Sequence, residues 1–122
     1  MKLSDLVTEY KVMIEIGDSI AVITRFYDDE IVQVENNEAP VQGKNKLLEL
    51  EKASIEGVYS FNLLISSIII DENQQKVMGE MSVKFNSKKA GKKKFAEAFV
   101  QQWKNEKIIY QRFYYGAVEV DD

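Results

Sequence analysis

Glu97 stands in the alternating run FAEAFVQQW, Phe95 to Trp103, where an extended chain puts its carboxyl on the same face as the Phe95 and Phe99 rings. A carboxylate held between two phenyl groups loses hydration, and its pKa rises toward values useful to a general acid or base. The alternative is structural: Glu97 near an open rim, or paired with a lysine of the basic segment SKKAGKKK just before it. The chain has no histidine and no cysteine, so proton transfer falls to Asp, Glu, Tyr or Lys. The same absence excludes disulfides, thiolate nucleophiles and the usual zinc ligands. No Asp-rich calcium loop, phosphate loop, dinucleotide fingerprint or serine elbow is present, and no metal or cofactor is expected.

Gln101, Gln111, Tyr27 and Tyr115 are polar handles of the kind found in mostly apolar small-molecule sites, and Phe99, Trp103 and Phe113 supply apolar surface. Trp103 and Tyr115 equally suit a filled core, as aromatic residues at strand spacing usually do. Asp28 and Asp29 form an acidic pair, read here as a solvated helix end rather than an acid–base dyad. The five lysines of residues 87–94 read as a solvated turn that protects strand ends from aggregation.

These side chains need a scaffold, and its elements are legible. With 122 residues, the chain suits one domain with one core, 1–122, with residues 118–122 expected as a flexible tail. Hydrophobic content of 45% and charged content of 30% indicate a soluble globular protein, and a net charge of −4 argues against nucleic-acid binding. The longest apolar run, Val58 to Ile70, is broken by Ser60, Asn62, Ser66 and Ser67 and cannot span a bilayer. A cytoplasmic location is expected.

Helical spacing of Leu6, Val7, Tyr10, Met13 and Ile14 predicts a first helix from Ser4 to Ile16, with Ser4 as cap and Gly17 as stop. Asp18 caps a second helix with Ile20, Ile23, Phe26 and Tyr27 inward, ending at Asp28 and Asp29. Ile31, Val32 and Val34 make a short strand. A third helix, Lys44 to Ile55, buries Leu47, Leu48, Leu50 and Ile55 between Gly43 and Gly57. Four long strands follow. Val58 to Ile70 is bent or bulged at Ser66 and Ser67; Lys76 to Asn86 alternates Val77, Gly79, Met81, Val83 and Phe85 on one apolar face. Phe95 to Gly116 is a long hairpin turning at Lys104, Asn105 and Glu106, placed in the middle of the sheet.

The segment IGDSIAVITRFYDDEIVQVENNEAPVQGKNKLLEL resembles the N-terminal signature of the nuclear transport factor 2-like superfamily, and the ending WKNEKIIYQRFYYG resembles its SnoaL-like branch. The resemblance covers nearly the whole chain. It implies an α+β fold: three N-terminal helices packed on a strongly curved, mixed, mostly antiparallel sheet forming a cone with an apolar cavity. The superfamily includes ketosteroid isomerases, polyketide cyclases, epoxide hydrolases and non-catalytic members, so fold does not assign function.

Laid on the isomerase pattern, the oxyanion-holding tyrosine matches Tyr10, which is otherwise a core tyrosine. The general-base aspartate falls at Val34 and the second oxyanion donor at Phe99, neither of which handles a proton, so isomerase chemistry of that kind is rejected. Glu35 neighbours Val34, but strand alternation aims it at the other face unless a bulge intervenes. The register puts Phe95, Glu97, Phe99, Gln101, Trp103, Gln111, Phe113 and Tyr115 inside the cone. Ala96, Ala98, Val100, Tyr110, Arg112 and Tyr114 fall outside, on a face suited to a second subunit, where Glu80 and Arg112 are candidates for a structural pair. The leading expectation is a small homodimeric domain that binds an apolar or amphipathic small molecule. The alternatives are a cyclase- or isomerase-type enzyme using Glu97 as acid or base with Tyr10 as oxyanion donor, and a non-catalytic partner-binding module.

Overall fold

A computed structural model describes residues 1–122. Helices α1 (Leu3–Glu15) and α2 (Ser19–Phe26) come first, strands β1 (Tyr27–Glu35) and β2 (Val41–Gln42) lead to α3 (Lys44–Glu56), and then β3 (Val58–Asp71), β4 (Lys76–Ser87), β5 (Gly91–Lys104), β6 (Lys107–Tyr115) and β7 (Glu119–Val120) follow. The sheet runs β2-β1-β6-β5-β4-β3 with β7 added beside β5, so the β5–β6 hairpin lies in its middle. Every pairing is antiparallel except β1 with β6. The sheet is mixed and open, and the helices close one end of the cone.

Helix α1 buries Leu3, Leu6, Val7 and Tyr10, one stripe of its 3.6-residue period. Ser4 does not cap it. The Leu3 and Ser4 N–H groups donate instead to the Glu72 carboxylate, at 3.2 and 2.9 Å, so a distant turn between β3 and β4 satisfies the helix start. Gly17, with φ +90°, ends the helix as its spacing predicts.

Asp18 caps α2 by accepting from the Ala21 N–H at 3.1 Å. The buried residues of α2 are Val22, Ile23 and Phe26, with Ile20 only half-buried. Tyr27, Asp28 and Asp29 are strand rather than helix, because Tyr27 already pairs with Ile108 of β6. A ladder hydrogen bond in the sheet outweighs the weak propensity of one further helical turn.

Helix α3 starts at Gly43, whose φ of +100° suits glycine and whose N–H donates to the Ile31 carbonyl at 2.8 Å. Only Leu47 is fully buried on it. Leu48 and Ile55 are half-buried and Leu50 is exposed. The helix therefore stands off the sheet, and the space beneath it is the cavity described below.

Two local features accompany the sheet's curvature. Ser66 is a bulge: Ile65 pairs with Met81 and Ser67 with Glu80, leaving Ser66 unpaired. Across from it, Gly79 lies opposite Phe99 and leaves room for that ring. The β5–β6 turn is made by Asn105 and Glu106, at φ +51° and +65°, the left-handed pair that a tight two-residue hairpin requires. Lys92, Lys93 and Lys94, expected in a loop, belong to β5, and only Lys88 to Ala90 turn the chain. Residues 118–122 include β7, whose Glu119 and Val120 pair with Lys94 and Lys93. No helix is long and apolar enough to cross a membrane.

Candidate functional site

The narrow end of the cone is solid. Tyr10, Phe26 and Trp103 meet edge to face, with ring centroids 5.7, 6.2 and 5.8 Å apart, and Phe99 packs beside them at 1% exposure. The wide end is not filled. A cavity of about 480 Å³ lies between α1, α2, α3 and the concave face of the sheet. Its apolar walls include Phe61, Phe85, Phe95 and Phe113. A second hollow of about 510 Å³, bounded by Val41, Leu47 and Leu50, adjoins it and shares Tyr27, Gln33, Glu35 and Glu51.

Polar groups enter this apolar space from several elements. Tyr10 comes from α1, Tyr27, Gln33 and Glu35 from β1, Glu51 from α3 and Glu97 from β5. No Lys or Arg lines the cavity, and none of Glu35, Glu51 and Glu97 forms an ion pair. Burial, reinforced by the negative charge of Glu35, pushes the Glu97 carboxyl up to about 7. Glu51 is raised by burial, opposed by the Ser19 hydroxyl beside it, with a further rise from Glu35. Burial raises Tyr10, against the lowering influence of Gln101 and with a smaller rise from Glu97. Tyr27 is raised by burial and then by the neighbouring Tyr10, so both phenols keep their protons at neutral pH.

Beneath the cavity floor runs a buried chain of amides. Trp103 Nε1–H donates to Gln101 Oε1 at 3.0 Å, and Gln101 Nε2 donates to Gln111 Oε1 at 3.1 Å. Gln111 Nε2 then donates to the Tyr27 hydroxyl at 2.5 Å and to Gln33 Oε1 at 2.7 Å. Gln101 and Gln111 face each other because β5 and β6 pair them directly, and both have 0% exposure.

Of the residues singled out from sequence, Tyr10, Tyr27, Glu97 and Phe113 line the cavity together. Phe99, Gln101, Trp103 and Gln111 share the inward face but lie under the floor, packed among core side chains rather than at the cavity wall. Tyr115 is on the rim. Its ring centroid lies 5.4 Å from that of Phe95, and its hydroxyl donates to the Glu35 carboxylate at 3.4 Å.

Glu35 corrects an expectation. It faces the cavity with Tyr27 and Gln33, in step with plain two-residue alternation along β1, while Val34, the position laid on the isomerase base, takes the opposite side. The Glu80 and Arg112 pair does not form: Arg112 donates to the Asn36 carbonyl and Asn37 Oδ1 and stacks 4.9 Å from the Tyr114 ring centroid. Glu51 and Ser54 escape the sequence reading, although Leu47, Glu51, Ser54 and Ile55 recur at the i, i+4, i+7, i+8 spacing of one helix face. No group of three or more His, Cys, Asp or Glu side chains is arranged to hold a metal ion.

The helix-closed cone and the cavity within it define the SnoaL-like version of the nuclear transport factor 2-like fold, and solved structures share it. The chain superposes on SalBIII, an epoxide hydrolase/cyclase-like enzyme of pyran ring formation in the polyether salinomycin, with a TM-score of 0.80 at 13% identity, covering 98% of this chain and 95% of that one. A Mesorhizobium loti protein described as a SnoaL-like polyketide cyclase gives 0.78 at 20% identity, with 94% and 100% covered. An LEH-like epoxide hydrolase from M. tuberculosis gives 0.73 at 15% identity, with 92% and 76% covered. No family model matches the sequence, and no curated protein matches it either. At these identities the likeness is one of fold.

Proposed function

We propose that this protein is a small-molecule-binding SnoaL-like domain whose cone takes an apolar or amphipathic ligand, with the cytoplasm as its expected compartment. The observation that carries this reading is the unfilled cavity of about 480 Å³, apolar in its walls and polar at a few points. Three carboxylates and no cationic side chain in the lining favour an uncharged or cationic ligand over an anionic one. Titration calorimetry with uncharged aromatic ketones and with hydrophobic amines tests it. Saturable binding lost on Phe113→Arg supports the reading, and no binding by either series removes it.

A second reading is favoured by Glu97, a carboxyl with a pKa of about 7 facing the same cavity as the Tyr10 phenol. It is an enzyme of the cyclase or isomerase kind. Glu97 as carboxylate takes a proton from the carbon beside a ligand carbonyl, Tyr10 hydrogen-bonds the enolate oxygen, and Glu97 returns the proton to carbon. Exchange of α-hydrogens of a bound ketone with heavy water tests this: Glu97→Gln abolishes exchange without abolishing binding. Exchange at the uncatalysed rate with the wild-type protein sinks the enzyme.

The expected second copy is assigned to the outer sheet face, where Ile69, Met78 and Val100 pair across three strands. Ile69 and Met78 are 70% and 52% exposed, a loss of apolar burial that a partner subunit recovers. Sedimentation equilibrium decides it: a dimer that becomes a monomer on Met78→Glu supports this interface, and a monomeric wild type removes it.

A further inference from the structure

The two glutamines under the cavity floor are the only buried polar residues, and their hydrogen bonds have a direction. Trp103 sets it. An indole N–H is a donor with no acceptor capacity, so Gln101 must turn its oxygen toward Trp103 and its NH₂ toward Gln111. Gln111 is then obliged to present oxygen to Gln101 and NH₂ to β1, where its two hydrogens go to Tyr27 and Gln33. Reversing either amide would set N–H against N–H at one end of the chain, leaving a buried donor unsatisfied.

The Tyr27 hydroxyl thus receives a hydrogen bond, and its own proton has no acceptor among the protein's hydrogen bonds. Tyr27 is 8% exposed, and the space it borders is the cavity. A hydroxyl that accepts from an amide becomes a better donor, because each bond polarises the next. We infer that Trp103, Gln101 and Gln111 are positioning residues that aim the Tyr27 O–H into the cavity as a donor to an uncharged ligand oxygen, that of a ketone, ester or ether. This rests on the cavity being a ligand site, as proposed above, and names the ligand chemistry it recognises. The surrounding carboxylates disfavour a carboxylate in that place, and a hydrocarbon would leave the donor unused.

The test uses the full chain with 6-propionyl-2-(dimethylamino)naphthalene, a fluorescent uncharged ketone, and its carbonyl-free 6-propyl analogue. Hydrogen bonding to the ketone oxygen moves the probe's emission to the red and lowers its carbonyl stretching frequency. The expected result is red-shifted bound emission that moves to the blue in Tyr27→Phe, with ketone affinity falling roughly five-fold, the value of one hydrogen bond. The analogue's affinity is unchanged by that substitution. In Gln111→Glu the new carboxylate accepts the Tyr27 proton, so the same blue shift appears with Tyr27 still in place. If that variant does not fold, Tyr27→Phe alone decides.

Bound emission unaltered in Tyr27→Phe overturns the inference, as does a shift lost only in Tyr10→Phe. Equal affinity for ketone and analogue overturns it while leaving the cavity as a ligand site. Failure of both probes to bind overturns that reading and this inference together.

Discussion

Phe99 lies over Gly79: a Cβ at position 79 would come within 2.7 Å of Phe99 Cζ and closer still to the Ser67 carbonyl oxygen. Position 79 therefore has no room for a side chain. The contact is with backbone on one side and a 1% exposed ring on the other, so neither neighbour gives way easily.

Gly79→Ala is expected to destabilise the fold by about 1–3 kcal/mol through overpacking, despite alanine's better backbone propensity. Urea denaturation reads this as a lower midpoint with an unchanged slope. A midpoint equal to that of the wild type would show that the sheet relaxes there at no cost.

Gln101→Leu removes the acceptor of the Trp103 N–H and the donor to Gln111 while keeping the volume close. Leaving buried polar groups unsatisfied costs about 1–3 kcal/mol each, so this change should lower stability more than the same change at exposed Gln42. Denaturation of both variants side by side measures the difference.

Glu97 gives stability a pH dependence whose sign follows from its raised pKa. Below its ordinary value of 4.5 the carboxyl is protonated both folded and unfolded, and the folded state carries no penalty. Between 4.5 and about 7 the unfolded chain releases the proton while the folded chain keeps it, so stability falls as pH rises. Above about 7 the loss is complete, about 2–3 kcal/mol once partial solvent screening is allowed for. Glu97→Gln should lack this slope. The stability difference between the two proteins should grow from pH 4 to pH 7 and then level off, and a constant difference would contradict the placement of Glu97.

Ligand charge should matter. An uncharged ketone or a hydrophobic amine at 100 times its Kd adds about 2.7 kcal/mol to stability and raises Tm, whereas a fatty carboxylate of similar size should leave Tm unchanged. Glu35→Gln combined with Glu51→Gln should weaken the preference for amines, because it removes two of the three carboxylates of the lining. A wild-type preference for the carboxylate would contradict the electrostatic argument.

Local periodicity specified most of the elements, though not the end of α2, the start of β5 or strand β7. Tyr10 on a helical stripe and the alternation of Phe95, Glu97, Phe99, Gln101 and Trp103 follow from 3.6- and 2-residue repeats that local geometry imposes on the sequence. Which inward residues meet open space depends instead on packing in three dimensions. Glu97 and Trp103 share a strand face, yet one borders a cavity and the other fills the apex, because a cone narrows along its axis and alternation carries no depth. Glu35 shares the inward side with Tyr27 and Gln33, a phase set by pairing with a strand far along the chain, and Glu72 caps a helix that Ser4 was expected to cap. Glu51 shares a helix face with Leu47 and Ile55, yet its charge reads as surface. It borders the cavity because α3 fully buries only Leu47 and stands away from the sheet, a distance set by every side chain between them.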